Sequence, residues 1–138
     1  MQLLTSLLLK ENELTKLAQT LKIQDKQGVY LLEGDLASGK TTLIKAIAQY
    51  LGSTSLVTSP TFLIRQEYDH QIYHYDFYQK DLQNLLELGF LEEIEKAGWH
   101  FIEWGDKKLA KILQEVGISF TTIKILPQNN EREYQIYV

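Results

Sequence analysis

Residues 27–51 read QGVYLLEGDLASGKTTLIKAIAQYL, and this stretch decides the fold. Gly34, Asp35, Leu36, Ala37, Ser38, Gly39, Lys40 and Thr41 satisfy G-x-x-x-x-G-K-[ST], the spacing of a phosphate-binding P-loop. The flanks supply the context that the motif needs. Val29 to Leu32 form a short apolar run, the pattern of a buried strand. Leu43, Ile44, Ile47, Ala48 and Leu51 recur at helical spacing, and Gly52 gives the helix a stop. Strand, loop and helix in that order aim main-chain N–H groups and the positive end of a helix at an anion. The small residues Gly34, Ala37, Ser38 and Gly39 let the main chain curl close to phosphate oxygens. Lys40 is placed to reach the β- and γ-phosphates as a point charge, and the Thr41 hydroxyl to ligate Mg2+. With Thr42 at the start of the helix, residues 34–42 are the candidate nucleotide-binding segment.

Length and composition are consistent with this motif. The chain of 138 residues suits one domain, residues 1–138, with a core of its own. Hydrophobic content of 44% and charged content of 23% are those of a soluble globular protein. Fourteen basic against eighteen acidic residues give a net charge of −4, which argues against a broad nucleic-acid surface. The absence of cysteine excludes disulfides, thiolate nucleophiles and thiolate-held zinc, and makes a reducing cytoplasm the expected location. The run LLTSLLL near the N-terminus is too short to span a membrane and gives way at once to Lys10, Glu11 and Glu13. It also lacks the basic start and cleavage site of a signal peptide.

Strands are expected near Leu3–Leu8, in an antiparallel hairpin of Phe62–Tyr68 with Ile72–Asp76, and at Trp99–Trp104. Helices are expected near Asn12–Lys22, Leu82–Leu88, Leu91–Lys96 and Asp106–Gln114. A C-terminal hairpin turns at Pro127–Asn130, with a bulge at Thr121 and Thr122 where the apolar phase changes. Strands at both ends with few helices favour an α/β fold of P-loop NTPase type, with a mixed parallel and antiparallel sheet.

Hydrolysis of a bound nucleotide also requires a carboxylate at the metal and a group that orients water. Two strands end in acids, one in Glu103 and the other in Asp76. Glu103 has the more apolar approach and is the better metal-side candidate; Asp76 is then the water-positioning or supporting acid, and the roles could be exchanged. A single acid at a strand end is often just solvated surface; two of them beside a P-loop weaken that explanation. His74 shares a strand face with Asp76 and could support it, although a packed histidine is the favoured reading. Thr61, just after Pro60 on a polar loop, is a candidate sensor of the γ-phosphate or Mg2+, with backbone capping the alternative. Trp104 is expected in the core, and Tyr68, Tyr73, Tyr75 and Tyr78 in strand packing rather than base stacking.

The ordered set GDLASGKTT, SPTF, YHYDFY and FIEW resembles the TsaE family of bacterial ATPases over most of the chain. The resemblance implies an accessory ATPase in the formation of N6-threonylcarbamoyladenosine in tRNA. It implies binding to a heterodimer of TsaD, which carries the transferase chemistry, and TsaB, with tRNA met through that complex. It also implies that ATP turnover, slow in isolation, restores the complex between cycles. By the same likeness Thr41 and Glu103 match metal positions, Asp76 and Thr61 turnover positions, and Arg132 an arginine near the nucleotide. Trp104 matches a functionally sensitive aromatic. Three positions depart from the family's pattern: Ala37 replaces a glycine, Gln79 an arginine and Gly105 a proline. The competing readings are a small-molecule kinase built on the same loop and a nucleotide-gated binding module. A kinase would want a lid with arginines, and the sequence has only Arg65 and Arg132.

Overall fold

The computed structural model describes residues 2–35, 39–55, 57, 65–105 and 107–138. Among the described residues seven strands form one sheet: β1 (Leu3–Leu9), β2 (Gly28–Glu33), β3 (Arg65–Tyr68), β4 (Ile72–Asp76), β5 (Trp99–Glu103), β6 (Phe120–Gln128) and β7 (Glu131–Tyr137). Their spatial order is β1-β7-β6-β2-β5-β4-β3. The four central strands β6, β2, β5 and β4 run parallel; β7 and β3 run against them on either side, and β1 pairs antiparallel with β7 at the edge. The fold is therefore a mixed-sheet α/β architecture of P-loop NTPase type. The helices are α1 (Thr15–Leu21), α2 (Lys40–Tyr50), α3 (Leu82–Glu87), α4 (Phe90–Ile94) and α5 (Lys107–Glu115).

Both faces of the sheet are covered, and the period-two alternation of each strand sorts its residues between them. Tyr30, Leu32, Phe101, Ile123 and Ile125 face α1 and α2, where they meet Leu17, Leu43, Ile44 and Ile47. Val29, Leu31, Tyr73, Tyr75 and Ile102 face the other way, against Leu85, Phe90, Ile94, Leu109 and Leu113. This two-sided burial corrects one expectation. Pairing of β6 with β2 and β7 runs in unbroken register through Thr121 and Thr122, so there is no bulge there. Phe120 and Ile123 change phase because each packs into a different core. The register shift lies instead in β1, between Leu3 and Thr5. The C-terminal turn is also tighter than expected: Pro127 pairs with Arg132 inside the hairpin, and Asn129 and Asn130 make the turn.

Two polar pins hold the parallel strands to their surroundings. The Asp69 carboxylate, in the turn between β3 and β4, accepts hydrogen bonds from the Ser53 and Ser55 hydroxyls and from Thr54 N–H. These bonds, led by Ser53, hold its carboxyl well below the usual carboxylate range. On the opposite face, His100 is fully buried. Its Nε2–H donates to Lys96 O at 2.8 Å and its Nδ1 accepts from the Tyr75 hydroxyl at 2.9 Å. Tyr73 stacks on the ring, with 4.6 Å between centroids. Tyr73 and Tyr75 are thus packed, as expected, and Gly98 just before β5 has no room for a side chain, since a Cβ would meet Gln71 O at 2.3 Å.

Burial pushes His100 below the usual histidine range, with Arg65 and Lys96 acting in the same direction and the Lys96 carbonyl and Glu93 opposing. The unfolded chain therefore binds a proton at His100 more readily than the folded one. The stability linked to this group is complete above the unfolded value of about 6.5 and is lost as pH falls below it. Melting curves from about pH 7.5 to about pH 5 are expected to show that loss. His100→Phe is expected to flatten the slope in this window and to lower stability at neutral pH by about 1–3 kcal/mol, because the Tyr75 hydroxyl loses its acceptor.

Candidate functional site

The parallel register brings Leu32, Glu103 and Asp76 to one level at the C-terminal ends of β2, β5 and β4. Neighbours at one level of a sheet share a face, and here that face is the one covered by α2. The two acids thus stand side by side next to the loop that leaves β2 after Glu33.

The start of α2 meets them. Gly39 caps the helix with φ of 99°, a conformation that glycine adopts freely and other residues rarely do. Lys40 Nζ donates to Gly34 O at 2.7 Å and Asp35 O at 2.9 Å, so the lysine closes the loop on itself. Burial pushes its ammonium below the usual lysine range, against the opposing attraction of Glu103, Asp76 and Asp35. The Thr41 hydroxyl donates to Glu103 Oε2 at 3.0 Å. That bond uses the hydroxyl hydrogen and leaves the oxygen lone pairs available to a cation.

Glu103 is only 4% exposed. Its Oε2 also receives His74 Nε2 at 2.5 Å, and the other ring nitrogen of His74 lies 2.9 Å from the Tyr68 hydroxyl. The favoured reading of His74 as a packed, satisfied residue holds, since it is fully buried with partners, while the alternative that it supports Asp76 does not. The two share a face, but the ring reaches sideways across the sheet to Glu103. Asp76 Oδ1 instead accepts from Tyr78 N–H at 2.9 Å, in the turn after β4.

Trp104 is half-buried against the second core, in part as expected, and its ring also reaches the loop. The strand ends at Glu103, and Trp104 turns with φ of 63°, unusual for so bulky a residue. The turn brings its ring over Lys40, with Nζ 4.0 Å from the centroid, and against Tyr78 at 4.8 Å. A lysine over an indole face is a cation–π contact. Arg132, on β7, is brought to the loop from the far side of the sheet: a Cβ on Gly39 would lie 3.3 Å from its Cζ and Nε. Thr42 sits half-buried in the first turn of α2 and lines a cleft of about 610 Å³ with Lys10, Asn12, Lys45 and Asn130. Leu36, Ala37, Ser38 and Thr61 lie outside the described residues.

Sequence reasoning named Lys40, Thr41, Glu103, Asp76 and Arg132, and all five stand around one loop. It missed the bond of His74 to Glu103 and the placement of Trp104 over Lys40. The first depends on which strands are neighbours, and the second on a backbone reversal that a tryptophan does not advertise.

The set suits magnesium held together with a polyphosphate. One hydroxyl and one carboxylate oxygen converge at 3.0 Å, and magnesium commonly takes one or two protein oxygens and completes its shell with water and phosphate. Among the described residues no group of three or more His, Asp or Glu side chains is arranged to hold a metal alone. Nor is any described helix long and apolar enough to cross a membrane.

A family model described as threonylcarbamoyl adenosine biosynthesis protein TsaE matches residues 8–134. A Treponema pallidum protein called tRNA threonylcarbamoyladenosine biosynthesis protein TsaE is 31% identical over 112 residues, 79% of this chain and 82% of that one. Proteins of the same name from Rickettsia conorii and Bacillus subtilis are 41% and 42% identical, over 65% and 55% of this chain. The chain spans about half the length of those two relatives, 52% and 49%. The crystal structure of Bacillus subtilis YdiB superposes with a TM-score of 0.69 at 27% identity, covering 99% of this chain and 86% of that one.

Gly39→Ala tests the geometry of the loop. The left-handed conformation is expected to cost the variant about 1–2 kcal/mol of stability. The added methyl group also crowds Arg132, so phosphate or triphosphate binding, followed by calorimetry, should weaken more than tenfold.

Proposed function

The chain belongs to the TsaE family, and from that premise we propose that it binds ATP with magnesium and hydrolyses it in support of threonylcarbamoylation of adenosine in tRNA. The observation that carries this reading is the Thr41–Glu103 contact at the mouth of a P-loop whose lysine is already in place.

In this reading the main chain of residues 34–39 and the N-terminus of α2 bind the β- and γ-phosphates. Lys40 exchanges its carbonyl partners for phosphate oxygens and neutralises charge that builds in the transition state. Thr41 and Glu103 would hold magnesium, which would supply positive charge to the phosphates. Asp76, one strand over from Glu103, orients the attacking water and takes up its proton. Water oxygen bonds to the γ-phosphorus as the bond to the ADP oxygen breaks, giving ADP and inorganic phosphate. Arg132 adds positive charge beside Gly39, and Thr61 acts as the γ-phosphate sensor. The cleft between α2 and the β6–β7 turn offers space for the nucleoside.

Water exclusion and completion of the site would come from partners, TsaD and TsaB, with tRNA reached through that complex in the cytoplasm. Slow turnover alone and faster turnover with TsaD and TsaB are expected; equal rates would count against the reading.

Asp76→Asn is expected to lower turnover by about 100-fold or more while ATP still binds. Glu103→Gln should leave metal-free ATP binding near normal and abolish the support given to tRNA modification in a reconstituted reaction. A protein that acts only as a nucleotide-gated binding module would keep working with Glu103→Gln. A small-molecule kinase would instead transfer the phosphoryl group to an acceptor, forming ADP in proportion to phosphorylated acceptor and little inorganic phosphate.

A further inference from the structure

Glu103 receives a second hydrogen bond that the family motif does not describe, and its donor is part of a chain across three strands. Tyr68 on β3 meets His74 on β4, His74 meets Glu103 on β5, and Glu103 meets Thr41 on α2. His74 and Glu103 are both buried, with side chains 0% and 5% exposed. From these contacts we propose that His74, held in orientation by Tyr68, is the positioning residue for the metal-side carboxylate.

The chemistry follows from the atoms. A carboxylate only accepts hydrogen bonds, so His74 Nε2 carries the hydrogen of the 2.5 Å contact. The other ring nitrogen, Nδ1, lies 2.9 Å from the Tyr68 hydroxyl, which donates in turn to Gln66 Oε1 at 2.7 Å. Both ring nitrogens are thereby engaged, and the ring has no freedom to flip without losing two buried bonds.

The consequence falls on Glu103. A glutamate side chain has three rotatable bonds and would sample several positions at a strand end. Here both described contacts, from Thr41 and His74, fall on Oε2. They fix the plane of the carboxylate and leave Oε1 without a bond among the described residues. Outer partners that orient a metal-binding group in this way typically contribute 10–100-fold in metal affinity or activity, by order of magnitude. His100 on the other face also has both nitrogens engaged, by Lys96 O and the Tyr75 hydroxyl, but neither partner is a carboxylate; the bond to Glu103 is what sets His74 apart.

The inference rests on the reading of Glu103 as the magnesium-side carboxylate, and the test separates the two. A fluorescent ATP analogue is titrated onto the full chain in EDTA and then at rising Mg2+, giving a metal-free affinity and a magnesium midpoint. Wild type, Glu103→Gln, His74→Leu, His74→Gln and Tyr68→Phe are compared. His74→Leu is expected to raise the midpoint by about 10–100-fold with little change in EDTA. Tyr68→Phe should raise it several-fold. His74→Gln, whose amide can donate from near the position of Nε2, should recover most of the loss. A merely structural histidine would lower the melting temperature of all three alike and leave the midpoint in place. Wild-type midpoints in Tyr68→Phe and both His74 variants, with a shifted midpoint in Glu103→Gln, overturn the positioning role alone. A wild-type midpoint in Glu103→Gln overturns the metal assignment and the positioning role together. Should His74→Leu fail to fold, Tyr68→Phe and His74→Gln decide the matter.

Discussion

The structure depends on a constraint of register. Parallel pairing sets Leu32, Glu103 and Asp76 level with one another, and alternation then turns all three toward α2. A slip of one residue in β5 would send Glu103 to the opposite face and bring Ile102 to the loop. The slip is opposed on both sides. Phe101 and Ile102 are both fully buried, in different cores, and each fits only the face it occupies. The apolar packing that stabilises the sheet is therefore also what aims the carboxylates, and folding and site assembly are one event.

The same arrangement makes the site costly to bury. Lys40, His74 and Glu103 are all withdrawn from water. Each polar group taken from water without a partner would cost of order 1–3 kcal/mol, and more for a charge. None is left in that state. Lys40 is bonded to two carbonyls and covered by an indole, His74 has a partner at each nitrogen, and Glu103 has two donors. The network also spans elements far apart in the chain, since Thr41 and Glu103 are separated by 62 residues. Contacts of such separation form late and reward only the completed sheet.

Much of this was legible in the sequence because it is local. The P-loop carries its own strand and helix within residues 28–51, and the hairpin of β3 with β4 announces itself through Asp69 and His70. Glu103 and Asp76 could be picked out as acids closing apolar strands. What could not be read was lateral. Nothing in the string says that β4 lies beside β5 and not beside β2, so Glu103 could not be named as the partner of His74. The supposed bulge at Thr121 had a similar origin: a change of apolar phase was read as a slip, when the sheet simply has two cores to fill. The placement of Trp104 over Lys40 was not legible because a tryptophan suits a strand, while its backbone adopts a conformation usually given to glycine or asparagine.

That backbone has an implication for engineering. Holding a large aromatic residue at φ of 63° stores local strain, and residues held this way gather where a site demands them. A directed-evolution campaign scored on heat resistance alone would drift toward glycine at position 104, relaxing the main chain and stripping the indole from Lys40 in one step. Robustness gained there would cost the packing over Lys40 at the loop, which makes position 104 one to hold fixed whenever the protein is hardened.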